Sequence, residues 1–448
     1  MLKQLAATMV AIMTSTTLFA QDSTTADLER RLRELEQRIA AMQSANANPE
    51  LAEVSRQIQI LTQEIEALKT RQTDTATVAD KEQFGLGAAA SKVYRVDHGI
   101  SFGGYGEMLY ENYAGRTDIG AVNATKDKFD MLRGVLYTGY KYNDRVLFNS
   151  EIEFEHGSTG SGGEASVEFA YLDFMMNKNV GARAGLLLVP MGLVNEQHEP
   201  TTYLTARRST TENAIIPTTW REMGAGVFGE HGPFSWRTYL VTSIRGDRFT
   251  AGGVRGGRQK GANSQAEDFA LTGRLDWEPI DGTTIGGSFY SGNSGQGNVV
   301  NGRTVEANYT VFDLHAETQF RGAIVRALWA RGSIDDAAQL NVLNNLTGNR
   351  SIGEELGGWY VEAGYDLSTL FSFGEASLTP YVRYEQVDTQ RSVPAGFLRN
   401  PASEQTIFTY GLQFRPIPQA VIKADYQNSD NEAGTGLDQW NIGIGYIF

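Results

Sequence analysis

The chain has 448 residues, 41% of them hydrophobic, a formal net charge of −14 and a mean hydropathy of −0.32. Beyond the first twenty residues no stretch reaches the roughly 18 uninterrupted apolar residues of a membrane-spanning helix, which excludes a helical membrane bundle. The acidic balance argues against nucleic acid as a partner, and the absence of cysteine excludes disulfides, thiolate metal sites and a cysteine nucleophile.

The first element reads as an export signal over residues 1–20. Lys3 gives a positive start, Leu5 to Val10 begins an apolar core, and Leu18-Phe19-Ala20 precedes the polar Gln21-Asp22, placing cleavage after Ala20. Residues 21–80 then form a helical arm. Leu28, Leu32, Leu35, Ile39 and Met42 make one heptad seam, and Leu51, Val54, Ile58, Leu61, Ile65 and Leu68 make a second. Ser44 to Pro49 breaks the register, so the coiled coil is interrupted near 44–50. Such a narrow apolar stripe calls for partner helices, the alternative being a self-paired surface helix. Residues 81–97 read as a linker. Within it Gly85-Leu86-Gly87 imitates a dinucleotide fingerprint, but no strand precedes it and no βαβ unit follows.

From His98 to Phe448 the period changes to two. Strands are expected at 98–112, 128–143, 145–156, 164–177, 180–190, 221–229, 234–242, 266–278, 283–292, 309–321, 323–333, 357–369, 375–389, 405–416, 419–429 and 438–448, sixteen in all. Trp440, Ile442, Ile444, Tyr446 and Phe448 share one face, and Gln439, Asn441, Gly443 and Gly445 the other. Most segments run near the length of a tilted membrane strand, longer than those of a soluble sandwich. Short turns such as Asn143-Asp144, Lys178-Asn179, Gly232-Pro233, Asp281-Gly282 and Arg321-Gly322 alternate with long loops at 113–127, 157–163, 191–220, 243–265, 293–308, 334–356 and 390–404. The 49 glycines, 19 tyrosines and 21 phenylalanines suit the turns and aromatic girdles of a barrel. The expected fold is therefore all-β: a 16-stranded antiparallel transmembrane barrel over 98–448, preceded by an α-helical coiled coil.

Sixteen strands enclose more space than side chains fill, so the inward face is expected to line an aqueous lumen. Its basic members are Arg133, Arg183, Arg237, Arg274, Arg326, Arg383 and Lys423, beside acids such as Glu151, Glu153, Glu317, Glu362 and Glu385. Fixed charges of this kind select ions by sign. The long loop from Met191 to Trp220 carries Glu196, His198, Glu199, Arg207, Arg208 and Glu212. It is the candidate constriction, or else an ordinary charged outer loop. Arg245, Arg248, Arg255, Arg258 and Lys260 cluster in the loop after the seventh strand. They can draw anions to the mouth, contact anionic headgroups or solubilise the loop. His98, His156, His198, His231 and His315 are scattered without a metal or catalytic spacing, so neither an enzyme nor a cofactor is expected.

The coiled-coil arm, the sixteen strands, the segment Gly185 to Leu193 entering a long loop and the terminal Tyr446-Ile447-Phe448 resemble the phosphate-selective porin O/P family. That resemblance implies a homotrimer of pores, a third-loop constriction, and insertion by the outer-membrane assembly machinery through the C-terminal Phe448. The chain departs from the family's lysine-rich pattern, since its candidate lumen bases are nearly all arginine and stand among many acids. The expectation is a passive channel in the lipid of a bacterial outer membrane, its arm in the periplasm, passing small hydrophilic solutes with a lean toward anions or carboxylates. The competing expectation is a structural protein whose arm tethers the membrane to the cell wall.

Overall fold

In the computed structural model the chain divides into two units, Met1–Asp80 and Lys81–Phe448. Residues 83–160 and 162–448 are described. The expected export signal and coiled-coil arm lie outside them.

Sixteen strands close into an antiparallel barrel. They are β1 (Gly99–Tyr113), β2 (Lys128–Asn143), β3 (Val146–Glu155), β4 (Ala165–Asn177), β5 (Val180–Leu188), β6 (Arg221–His231), β7 (Phe234–Thr242) and β8 (Phe269–Ile280). The second half comprises β9 (Thr283–Asn293), β12 (Asn308–Phe320), β13 (Ala323–Ile334), β14 (Glu355–Tyr365), β15 (Ser377–Ser392), β16 (Glu404–Ile417), β17 (Ala420–Asn431) and β18 (Gln439–Ile447). Each strand pairs with its sequence neighbours, and β1 meets β18 from Tyr105↔Ile447 to Tyr113↔Gln439 to complete the ring. Closure leaves no edge, so every strand finds its backbone partners within the wall.

Strand ends shift by up to four residues from expectation, and two segments differ in kind. Residues 367–369, expected as the end of a strand, form a single 3₁₀ turn. The loop at 293–308 contains a small ladder, β10 (Val299–Val300) with β11 (Arg303–Thr304). Its turn is Asn301-Gly302 with φ of 51° and 77°, the paired positive angles that a two-residue hairpin needs and that Asn-Gly supplies.

The two faces of the wall divide as the alternation predicts. Phe312, Leu314, Trp329, Val361, Leu412, Trp440 and Ile442 are exposed on the outside. The intervening Asp313, His315, Glu362, Asp425 and Asn441 are buried on the inside. The interior is not lined by the strands alone, because three stretches of the chain's own loops fold into it. Residues 189–220 enter first, and Phe249 and Val254 of the next long loop pack beside them. Leu340, on helix α3 (Ala337–Leu343), completes the filling next to Gly246. Inward tyrosines at 105, 137, 171, 239, 290, 309 and 360 join this packing, giving the barrel an apolar core as well as a polar one.

Residues 83–97, expected as a linker, are packed against the inner wall. Phe84, Leu86, Ala89, Ala90 and Val93 are buried. The Ser91 hydroxyl donates to the carbonyls of Leu86 and Gly87 at 2.8 Å each, folding the segment back before helix α1 (Lys92–Arg95). Phe84 packs edge-on to Phe228 and Tyr94 with centroids 5.0 Å apart in both pairs.

Leu314, mid-strand and 62% exposed, tests the outer face. Leu314→Arg is expected to cost about 2–4 kcal/mol of folding into lipid vesicles, read by urea titration of the heat-modifiable band. Leu314→Ala should cost clearly less. Equal effects of the two would mean that this face does not meet hydrocarbon.

Candidate functional site in the barrel interior

The interior is organised by residues 189–220, between β5 and β6. Their two ends are clamped together: the Val189 amide donates to the Trp220 carbonyl at 2.9 Å. Buried Asn195 closes the same root, donating to the carbonyls of Val189 (2.6 Å) and Trp220 (3.0 Å) and accepting from the Trp220 amide (2.6 Å).

The loop then travels around the wall, and each wall residue it meets offers the complementary polarity. Its Gly192 amide donates to Asp313 at 3.1 Å, while the Gly192 carbonyl accepts from Arg274. Glu196 accepts from Arg237 at 2.9 Å. His198 contacts Glu151 through Nε2 and the Asn195 carbonyl through Nδ1, both at 3.0 Å. The Tyr203 hydroxyl donates to Glu107 at 2.7 Å. Across the barrel, Arg326 donates to the Thr202 carbonyl at 3.0 Å, and Lys423 to the carbonyls of Tyr203 (2.7 Å) and Thr205 (3.0 Å). Arg383 reaches the Thr205 hydroxyl at 2.6 Å, and the Ala206 amide donates to Asp425 at 2.7 Å. Helix α2 (Thr210–Ala214) follows, N-capped by Ser209. There the Thr211 amide donates to Glu385 at 2.5 Å, and Glu212 accepts from Tyr360 (2.6 Å) and the Val194 amide (2.8 Å).

The seven basic residues expected to line the lumen all lie on the inner face, but each is engaged. Arg133 pairs with Glu107 (3.1 Å) and Glu153 (3.0 Å), and Arg183 with Asp173 (2.8 Å). Arg237 and Arg274 stand opposite each other on β7 and β8 and share Asp276, at 3.2 and 2.7 Å. His315 links the same Asp276 (2.8 Å) to Asp313 (2.6 Å). Arg326 pairs with Glu317, and Arg383 lies 3.6 Å from Glu362 and 3.8 Å from Glu385. Among the described residues Lys423 pairs with no carboxylate in the same way; it rests on two carbonyls and over the Tyr203 ring, 3.7 Å from its centroid. Buried charges need such partners, since burying them alone costs more than any one contact returns.

Of the six loop residues singled out from sequence, Glu196, His198 and Glu212 are buried in these anchors, and Glu199 is buried outside them, against Gly87. Arg207 and Arg208 are not. Arg207 is exposed, reaching Glu111 at 3.3 Å and Gln439 at 3.1 Å. Arg208 is half-buried and donates to the His198 carbonyl at 2.9 Å.

The basic cluster of the next long loop is dispersed. Arg245 is held by Asp247 at 2.5 Å, and that hydrogen bond raises its pKa. Arg248 is exposed. Arg258 reaches back to the carbonyls of Thr218 (3.0 Å) and Thr219 (2.9 Å), and Lys260 to Glu164 (3.4 Å). Arg255 is half-buried, and burial followed by the charges of Arg258, Arg208 and Arg133 pushes its pKa down. Arg133, Arg208 and Arg255 are thus within electrostatic reach of one another although they come from β2 and two different loops. Phe448 ends the wall beside β1, exchanging backbone hydrogen bonds with Gly104 at 2.9 and 3.0 Å.

Sequence reasoning missed two anchors. Arg221 pairs with Glu168 at 2.6 Å where the loop rejoins the wall. Arg399, on the β15–β16 connection, gathers Asp388 (2.9 Å), Glu404 (2.5 Å) and Glu432. Alternation marks neither, because one lies at a strand end and the other in a loop.

No family model matches the chain. A protein of Aquifex aeolicus (strain VF5), described only as uncharacterized, is 35% identical over 382 residues, covering 83% of this chain and 85% of that one. Among solved structures, OmpF of Salmonella typhi in complex with daunomycin aligns with a TM-score of 0.50 at 13% identity, over 79% of this chain and 98% of OmpF. A loop-deletion mutant of OmpT, an outer membrane protein of Vibrio cholerae, gives 0.49 at 11% identity, over 79% of this chain and all of that one. The barrel shares the sixteen-stranded fold of OmpF, and the chain belongs to the same family as the Aquifex aeolicus protein.

Proposed function

We propose that the protein is an outer-membrane channel that passes small hydrophilic solutes through a barrel narrowed by residues 189–220, and that it works as a homotrimer. The observation that carries this reading is a closed barrel, apolar outside, whose interior loop is fixed to the wall all the way round rather than lying over its mouth. A loop held in that way sets an aperture. The aperture's water-facing edge is formed by Arg207 and Arg208, with Glu111 opposite Arg207 and with Arg133 and Arg255 near Arg208. The buried Glu196, His198, Glu199 and Glu212 hold the constriction in shape without touching solute.

At that edge Glu111 faces Arg207, and Glu107 and Glu153 face Arg133. Arg208 and Arg255 pair with no carboxylate among the described residues, and these two unneutralised charges support a preference for anions, carboxylates included. Other lumen bases are neutralised by partners, and the lysine-rich pattern of phosphate-selective porins is missing, so the preference is for charge rather than for phosphate. The exposed outer face suits membrane lipid, and the C-terminal Phe448 suits the machinery that inserts outer-membrane barrels. Residues 21–80 would then stand in the periplasm as a trimerising coiled coil.

Purified protein in planar bilayers is expected to give stepwise conductance, with a reversal potential in a salt gradient of the sign for anions. Replacing both Arg207 and Arg208 by Gln should lower the anion-to-cation permeability ratio by about fivefold, since at the distance of a permeating ion in water the two charges together contribute on the order of 1 kcal/mol. A folded barrel without conductance overturns the channel, and a wild-type preference for cations overturns the selectivity.

Removing residues 21–80 is expected to turn a trimer into separable barrels that still conduct, measured by native mass and by bilayer recording. Trimers that persist unchanged would remove the arm from assembly.

A further inference from the structure

The outer face of the wall is apolar along most strands, but it changes character where β13 to β16 approach the long loops. The register sets Arg331, Gly357, Asp388 and Glu404 side by side across these strands. Gly357 carries no side chain, so the row is interrupted by a depression floored by its backbone. Arg331, Glu355, Asp388, Arg391, Arg399 and Glu404 stand around it and enclose a cavity of about 390 Å³, a size usual for small-ligand sites.

Most of these charges already face each other. Arg331 gives Nη2 to Glu355 at 2.7 Å, and Arg399 gathers Asp388, Glu404 and Glu432. Arg391 is different. Its stem crosses the floor, with Cδ 3.4 Å from the place a Cβ on Gly357 would occupy. Its side chain is exposed and has no hydrogen-bond or ion-pair partner among the described residues. The carboxylates around it are held by Arg331 and Arg399, so its guanidinium suits an anionic oxygen from outside the chain.

The level of the cavity says where such an oxygen comes from. One row further from the loops, Trp329 lies opposite Trp359, which forms the lower lip of the cavity. An aromatic band continues from there around the outside. Trp359 and Tyr384 have ring centroids 5.5 Å apart, and Phe408 lies opposite Tyr384 and 5.9 Å from Tyr410. Tyr426 follows, 5.7 Å from Tyr410 and 5.0 Å from Trp440. Further still from the loops come the exposed Val382, Leu412, Ile422 and Ile442. In a membrane barrel such a band marks the boundary of the hydrocarbon, so the cavity opens at headgroup depth.

We propose that the cavity binds the phosphate of an anionic membrane lipid, with Arg391 and Arg331 as donors and the acyl chains lying over Trp359 and the apolar wall below. The inference rests on the outer-membrane reading and goes beyond the channel, since the site is on the lipid side of the wall and meets no permeating solute.

The full-length protein, purified in detergent, is titrated with phosphatidylglycerol or phosphatidylcholine of the same chains, and bound lipid is counted by native mass spectrometry. Wild type is expected to retain the anionic lipid in preference to the zwitterionic one. Arg391→Gln should weaken that retention by about fivefold, the order expected of one basic residue at an anionic surface. Arg350→Gln, at an exposed arginine outside the cavity, should leave it unchanged. Equal retention of the two lipids by wild type, or undiminished retention by Arg391→Gln, would overturn the site. Displacement of the lipid by inorganic phosphate would also overturn it, making the free anion the ligand, and so would dissociation of Arg391→Gln into single barrels, making this face a subunit contact. Bilayer conductance separates the site from the channel and is expected to be the same in Arg391→Gln and wild type. A conducting barrel without lipid preference removes the site alone, whereas a barrel that keeps the lipid without conducting removes the channel alone.

Discussion

A polypeptide wall in hydrocarbon has to satisfy its backbone within itself, and a closed ring of antiparallel strands does so at the cost of an interior that must be filled. Everything particular to this protein follows from how that interior is filled. Sixteen strands leave more room than their own inward side chains occupy, and here the chain returns to take up the space. Residues 189–220 provide most of the filling, with Phe249, Val254 and Leu340 and residues 83–97 packed into the same interior.

Bringing a loop into a barrel places its peptide groups where water is scarce, and each then needs a partner. The wall supplies partners of either sign. Carboxylates at 313, 362, 385 and 425 receive amide hydrogens, and cations at 274, 326 and 423 meet carbonyls. The same side chains are balanced against one another, as in the chain Arg274, Asp276, His315 and Asp313. Buried pairs of this sort add little net stability but penalise every wrong arrangement, because a misplaced loop would leave ions without partners. The net charge of −14 consequently says little about the interior, where local neutrality is the rule.

The wall was legible in the sequence because a barrel that is apolar outside and polar inside imposes a period of two over many long strands. Thus Phe312 to Phe320 and Trp440 to Phe448 can be assigned a face by counting alone. Counting also placed Arg133, Arg183, Arg237 and Arg383 on the inner face. It could not tell what they meet there, since the period reports which side a residue is on and not whether water or chain lies beyond it. The segment 83–97 escaped for a related reason: Phe84, Leu86, Ala89, Ala90 and Val93 follow neither a period of two nor one of 3.6, and alanine and glycine between them resemble a spacer. Its burial is a tertiary fact, set by the space the barrel leaves. Asn301-Gly302 is a different case, a local hairpin signal present in the sequence and hidden inside what reads as a long polar loop.

The interior charges therefore separate by what they support. On the channel reading, neutralising Arg326 or Lys423 would strip a loop carbonyl of its donor and move the aperture before it changed the field inside it, so shape and selectivity would shift together. Arg207, which is exposed and among the described residues bonded only to side chains at its tip, can lose its charge while the loop's backbone contacts stay in place. Arg208 is intermediate, because one of its nitrogens holds the His198 carbonyl. In the proposed channel, the wall residues that shape the opening and the loop arginines that colour it electrostatically are thus distinct in what they touch. A barrel filled by its own chain gains that freedom because rigidity is assigned to the buried anchors and leaves the rim of the loop open to change.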